Sequence, residues 1–327
     1  MFAGGTEQGP GPYANVDIYD ASTGEWTVEQ LSVPRNSLAA TTVGDVAIFA
    51  GGSPSYDLLR TLDTVDLYDN ATGTWTAARL SQPRNQLAAT AHGTKAYISG
   101  GLLQPTSGAT PPVFSDVIDV YDTASKQWSV LKMPKPRAAH SSVTVGDKIL
   151  FAGGLSDGTP RVDIYNAADG TWSTGQLSAA RQEMAAAVVG NKAIFMGGVH
   201  GGHYHREVDI YDADTNTWTS DVLPHPVSHM ATTTVGNFAL FGGGNVYGDI
   251  YVYDATSETW LTTVPGLSAP RSDFAATSVG NLALFGGGYG FDRVDIFRLP
   301  GVPEPGTVVL VSVACVLLLS RAACRPR

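Results

Sequence analysis

Five arginines, Arg35, Arg84, Arg137, Arg181 and Arg271, recur at one place in successive stretches of this 327-residue chain. Four of them stand nine residues after a tryptophan and Arg271 stands eleven after; Val227 takes the place in the remaining stretch. A fixed guanidinium holds a carboxylate through two parallel hydrogen bonds. A set of them could attract a carboxylate or a sugar acid, although recurrence in nearly every stretch equally suits a structural role. Histidine is the second chemical signal. Five of the seven lie close together, His200, His203 and His205 in one segment, His225 and His229 in the next. Neutral imidazoles suit zinc or copper, and a pair in a nearby loop could complete a site. No spacing among them matches a known metal motif, so exposed or hydrogen-bonded histidines are the alternative. The expected cofactor is therefore none, with zinc or copper at this cluster as the exception. His92 and His140 fall in apolar strand segments and read as structural. Asp212 to Asn216 has the look of a calcium loop but lacks the later glycine and glutamate, and reads as a polar turn.

The elements that must position these groups are repeats, and a fixed period outranks every other sequence signal. Seven times the chain writes a glycine pair, preceded by Phe2, Phe49, Ile98, Phe151, Phe195, Phe241 or Phe285, at spacings of 44 to 53 residues. A strand like Val65-Asp66-Leu67-Tyr68 follows each pair. All six tryptophans stand seven residues after a tyrosine: Trp26, Trp75, Trp128, Trp172, Trp218 and Trp260 follow Tyr19, Tyr68, Tyr121, Tyr165, Tyr211 and Tyr253.

Each unit reads as four strands. The first is small and weakly polar, as in Met184 to Val189, which suits an innermost strand crowded around an axis. Gly44-Asp45, Gly146-Asp147, Gly190-Asn191 and Gly280-Asn281 suit tight hairpins because they tolerate positive φ. The second strand is apolar, the third alternates with period two, and a polar turn leads to the tryptophan strand.

The order glycine pair, tyrosine, tryptophan, Pro-Arg closely resembles the kelch repeat over roughly residues 1–299. The resemblance implies an all-β kelch β-propeller with one four-stranded blade per repeat. Its aromatic pairs and small inner strands would then form inter-blade core. The chain begins inside a blade, at Met1-Phe2-Ala3-Gly4-Gly5, and its last repeat stops at Leu299 without a tryptophan strand. Propellers commonly close by completing one blade from both chain ends. Seven blades with an upstream segment missing from this sequence are therefore expected, and six blades with a spare partial repeat are the alternative.

After Leu299 the composition shifts. Residues 300–306 form a linker carrying Val302, Pro303, Glu304 and Pro305, residues 307–320 are apolar or small, and the basic tail 321–327 carries Arg321, Arg325 and Arg327. Fourteen residues are short for a bilayer helix, which needs about 20. The arginines would stay cytoplasmic and leave the repeats outside. The three parts in this order resemble a PEP-CTERM sorting signal. The resemblance implies a short transmembrane-like helix, handling by an exosortase-type enzyme, and an exported bacterial protein at the cell surface, anchored in the membrane at least transiently. A plain membrane anchor is the alternative. No secretory leader precedes the first repeat, which agrees with a missing upstream segment.

Composition narrows the function. A net charge of -10 argues against a nucleic-acid partner. Cys315 and Cys324, both in the tail, are the only cysteines. The resemblance to kelch proteins includes copper oxidases of galactose type, which need a cysteine joined to a tyrosine, and the repeats have none. It also includes exported sugar-acid epimerases of sialate type, for which Arg137, Arg181, Glu183, Glu207 and the histidine segment would supply an anchor and an acid-base pair.

The leading expectation is a non-catalytic binding module for a protein or an extracellular polysaccharide, with the epimerase and a structural matrix component as alternatives. In a four-stranded blade the glycine-pair loops and the Pro-Arg segments share one face. The longest such loops belong to the third repeat, 102–117, and the second, 53–64, which carries Tyr56, Asp57 and Arg60. Loops on a rigid scaffold carry function more often than the scaffold itself.

Overall fold

The computed structural model describes residues 1–5, 11–56, 58–103, 112–261, 264–288 and 291–299, and the backbone of 317–321. Among the described residues there is no helix long and apolar enough to cross a membrane. The elements of the described residues are strands, and apart from one two-stranded hairpin they group in seven sheets, so the chain is all-β with seven propeller blades.

In the second sheet the strands Ala39–Val43, Val46–Ala50, Leu62–Asp69 and Thr74–Arg84 pair antiparallel in chain order. The fourth sheet repeats this with Ser141–Val145, Lys148–Ala152, Arg161–Asn166 and Trp172–Gln176. The third adds a two-stranded hairpin, Leu102–Leu103 with Val113–Phe114, at the base of its long loop. The fifth adds Val199–His200, paired back on His203–Asp212. The first sheet has three strands, Phe2–Ala3, Asn15–Asp20 and Glu25–Gln30.

The seventh sheet takes Leu317–Arg321 as the neighbour of Val294–Arg298. The membrane helix expected over 307–320 otherwise lies outside the described residues, as do Val302, Pro303, Glu304, Pro305, Arg325 and Arg327.

Two compact units make up the chain. The first contains residues 3–17 and 28–183, the second residues 1–2, 18–27 and 184–327. In the first unit the inner strands Ala39–Val43, Ala88–His92 and Ser141–Val145 stand side by side, and Thr90 and Thr144 share a hydroxyl hydrogen bond of 3.0 Å. In the second unit Ala185–Val189, Ala231–Val235 and Ala275–Val279 do the same, with Thr232 and Thr234 donating to the carbonyls of Ala186 and Val188 at 2.8 Å. Alanine and threonine belong here because larger side chains would force these strands apart.

The tyrosine–tryptophan spacing becomes a cross-strand pair. Tyr68 and Trp75, Tyr121 and Trp128, and Tyr211 and Trp218 sit opposite one another with ring centroids 4.9 to 5.0 Å apart. Tyr121 and Trp128 also pack on the core of the preceding sheet. The phenylalanines before the glycine pairs, Phe151, Phe195, Phe241 and Phe285, are fully buried, each stabilising the fold by about 2–3 kcal/mol.

Candidate binding rim

The arginine–glycine step repeats from sheet to sheet. The carbonyl of Arg84, at the end of the outer strand of the second sheet, accepts from the N–H of Gly52 in that same sheet at 2.9 Å. Its guanidinium reaches into the third sheet, donating to the carbonyls of Gly100 and Val117, each at 2.8 Å, and pairing with Asp119. Arg137 pairs likewise with Asp163 and donates to Phe151 and Gly153 at 3.0 Å. Arg35 pairs with Asp66 and Arg271 with Asp295, both at 2.8 Å. Each of these four aspartates lies on the third strand of the following repeat.

All five arginines, Arg181 among them, are buried. Desolvation pulls the Arg84 guanidinium down to about 10, partly offset by Asp119, and leaves it charged at neutral pH. This corrects the expectation of an open anion-attracting ring. Arg35, Arg84, Arg137 and Arg271 meet carbonyl oxygens and aspartate inside the protein.

The glycine pairs let these segments approach. Gly100 has φ +60°, and a Cβ there would lie 2.4 Å from the Arg137 carbonyl oxygen and 2.7 Å from the His140 ring. The N–H of Gly101 donates to that same carbonyl at 2.8 Å. Glycine-pair loops and arginine segments therefore do share one face.

Two residues beyond each arginine position the backbone turns left-handed at a residue other than glycine. These are Ser37, Gln86, Ala139, Glu183, His229 and Asp273, with φ between 51° and 56°. They link by their main chains. In the first unit Gln86 N–H donates to Ser37 C=O at 3.1 Å, Ala139 to Gln86 at 3.0 Å and Glu183 to Ala139 at 3.0 Å. In the second unit Asp273 donates to His229 at 3.2 Å. Such conformations cost about 1–3 kcal/mol and concentrate where structure serves function. Backbones of one shape thus carry different side chains just before the inner strands, four of them in the first unit and two in the second.

The second-repeat loop is braced against this rim. Asn85, between Arg84 and Gln86, is fully buried and donates to the Leu58 carbonyl at 2.9 Å. Asn36 bridges to Ser53 through the main chain. The loop presents Tyr56, Leu59 and Arg60 to solvent, whereas Asp57 lies outside the described residues. The two asparagines are legible in the sequence, since Pro-Arg is followed by asparagine only before the two longest loops.

The histidines part company. His200 faces His203 across a two-residue hairpin, His205 bonds Glu207 at 3.0 Å, His225 stacks on Tyr247, and His229 lies 3.8 Å from Asp273. Among the described residues no three histidine, cysteine or acidic side chains gather in a metal-holding group. The two histidine segments do meet as paired strands, with His205 opposite Val227, but their imidazoles take separate partners. His92 bonds Asp147 at 3.0 Å, and His140 is buried with its Nε2 on the Ser99 hydroxyl at 2.9 Å.

Asp212 to Asn216 is a turn in which Asp212 accepts from the N–H groups of Asp214 and Thr215, each at 3.0 Å. A groove of about 440 Å³ beside the fourth repeat is lined by Lys135, Asp157, Thr159, Arg161 and Gln176. There Thr159, and after it Lys135, hold Asp157 down at about 2. Lys135 and Asp157 pair with each other at 3.2 Å.

A family profile described as the KLHDC2/KLHL20/DRC7 Kelch-repeats domain matches residues 86–288. The solved structure of YjhT is similar in fold, with a TM-score of 0.65 at 15% identity, covering 88% of this chain and 98% of that one. No curated protein matches the chain in sequence.

Proposed function

The chain belongs to the kelch-repeat family, and on that premise we propose that it is an exported, non-catalytic binding propeller whose rim reads a protein or an extracellular polysaccharide. One observation carries this reading. In each unit the left-handed rim position keeps its backbone while its side chain changes, from Ser37 to Gln86, Ala139 and Glu183 in the first and from His229 to Asp273 in the second. An unvarying frame with varying side chains is how a repeat scaffold presents a recognition surface. An epimerase would need an open cationic anchor for a sugar acid, and of the two candidate anchors Arg181 is buried and Arg137 is held by Asp163 and the carbonyls of Phe151 and Gly153.

The test is capture of ligands by the immobilised full chain from culture supernatant and from a polysaccharide panel. Gln86→Asn and Glu183→Asn tolerate the left-handed backbone and should weaken capture about tenfold while leaving the melting temperature unchanged. Full capture by both variants overturns the reading.

The tail supports the exported part of the proposal. The run Val302-Pro303-Glu304-Pro305, the apolar segment and Arg321, Arg325 and Arg327 fit a PEP-CTERM signal handled by an exosortase-type enzyme, with transient membrane anchoring. Fractionation of cells expressing the chain with Pro303, Glu304 and Pro305 replaced by alanine should leave it unprocessed. Unchanged processing rejects the signal.

A further inference from the structure

Three departures from the repeat fall together between the fifth and sixth sheets, within the second unit. Where other repeats carry arginine and aspartate, this interval carries Val227 and Tyr251. Tyr251 pairs with Phe241 in the register where Asp163 pairs with Phe151. Val227 is buried in an apolar cluster and Tyr251 packs on it.

Two residues before Val227 stands His225. Its counterparts reach the loop of the following repeat, Gln82 bonding Ser115 at 2.7 Å and Lys135 pairing with Asp157 at 3.2 Å. His225 reaches the corresponding loop by a ring contact in place of a polar one, stacking on Tyr247 with ring centroids 4.3 Å apart and planes at 29°.

The loop that carries Tyr247 is five residues long and internally tied. Asn245 Oδ1 accepts from the N–H groups of Tyr247 at 2.9 Å and Gly248 at 3.1 Å, and its Nδ2 donates to Asp249 Oδ2 at 3.1 Å. The Tyr251 hydroxyl donates to the same oxygen at 3.0 Å. Burial, and then the Asp249 carboxylate, push the Tyr251 phenol up, so it stays protonated as a donor. With no arginine to meet, this position braces the loop.

The braced loop holds apolar surface in water. Tyr247 is 60% exposed although one ring face lies on His225, and Val246 beside it is 78% exposed. An immobilised aromatic face loses little conformational entropy when a ligand covers it. Asp249 directs both of its bonds through Oδ2, which leaves Oδ1 to accept from a ligand hydroxyl two residues along the turn from the ring.

A flat apolar face beside a hydroxyl acceptor matches a pyranose, whose C–H face is apolar and whose edge carries hydroxyls. The net charge of -10 and the carboxylate at the site disfavour an acidic sugar. We infer that the His225–Tyr247 stack, with Val246 and Asp249, is a platform for a neutral pyranose unit of a polysaccharide. The inference rests on the binding reading and adds to it a ligand class at a place of its own.

The test is affinity electrophoresis of the full chain through gels containing a neutral β-glucan, a mannan or a galactan, with alginate as the acidic comparison. Retardation in at least one neutral gel is expected. Tyr247→Ala should weaken it about tenfold, and Tyr247→Trp should keep it. An unchanged melting temperature for Tyr247→Ala separates lost binding from lost folding. Absence of retardation in every neutral gel, or equal retardation of Tyr247→Ala, overturns the inference. A protein captured through Tyr247 without any neutral-gel retardation also overturns it, and leaves the rim reading standing on its own variants.

Discussion

Arg35 and Asp66 lie 2.8 Å apart with 0% and 5% of their side chains exposed. The pair ties the segment leaving the first sheet to the third strand of the second, and Arg271 does the same with Asp295 in the other unit. Removing one partner leaves the other charged and buried. Arg35→Met or Asp66→Asn should therefore destabilise the protein by about 3–5 kcal/mol in denaturant unfolding. The chain itself offers a replacement, since Val227 and Tyr251 hold these positions elsewhere. Arg35→Val combined with Asp66→Tyr should recover about 1–3 kcal/mol relative to the sum of the single changes. A strictly additive cycle would show that the two positions do not act together.

Gly93 and Gly100 provide a controlled comparison. Their φ values are 58° and 60°, but a Cβ on Gly93 meets nothing within 4 Å, whereas one on Gly100 meets the Arg137 carbonyl at 2.4 Å. Gly93→Ala should cost about 1 kcal/mol, the backbone penalty alone. Gly100→Ala should cost at least about 2 kcal/mol more, because the close approach between segments is lost. Equal losses in melting curves would contradict the role given to the glycine pair.

His140 is the polar member of a set of apolar residues, its counterparts being Leu38, Leu87, Met184, Met230 and Phe274. Burial, with Arg137 and Arg84 nearby, holds its pKa well below the ordinary 6.5. The unfolded chain therefore binds a proton near pH 6.5 that the folded chain refuses. Its contribution to stability is complete above that pH and is lost as pH falls below it. His140→Leu should flatten the decline of melting temperature between pH 6.5 and about 5. The same slope in both proteins would mean that other groups set it.

Ser37 holds its left-handed backbone without the freedom of glycine. Ser37→Gly should raise stability by up to about 1 kcal/mol, since the strain is relieved while the Gln86 N–H to Ser37 carbonyl bond of 3.1 Å is kept. A loss of stability in thermal melts would mean that the side chain, and not the backbone, matters there.

Much of the fold was legible because its signals are local. Tyr68 and Trp75 stand seven residues apart, and a hairpin of that length brings them face to face. Phe49 before Gly51-Gly52 marks a buried strand end in the same way. The helix expected over 307–320 rests on hydropathy alone, and apart from the strand Leu317–Arg321 that segment lies outside the described residues.

The candidate site was less legible. The arginines stood out by recurrence, but their aspartates lie one repeat further on, at positions read only as strand residues. The histidines clustered in sequence and their strands do pair, with a bulge beside His205, yet His205 turns to Glu207 and His225 to Tyr247.

By itself the sequence determined the repeat, its four strands, the aromatic pairs and the shared face of glycine loops and arginine segments, all consequences of spacing within a single unit. Tertiary structure alone decided which arginine meets which aspartate and where the backbone turns left-handed. Ser37, Gln86, Ala139, Glu183, His229 and Asp273 share no side-chain chemistry that favours positive φ. Hydrogen bonds such as Ala139 to Gln86 and Asp273 to His229 hold them there, and those bonds come into being only when one repeat packs against the next.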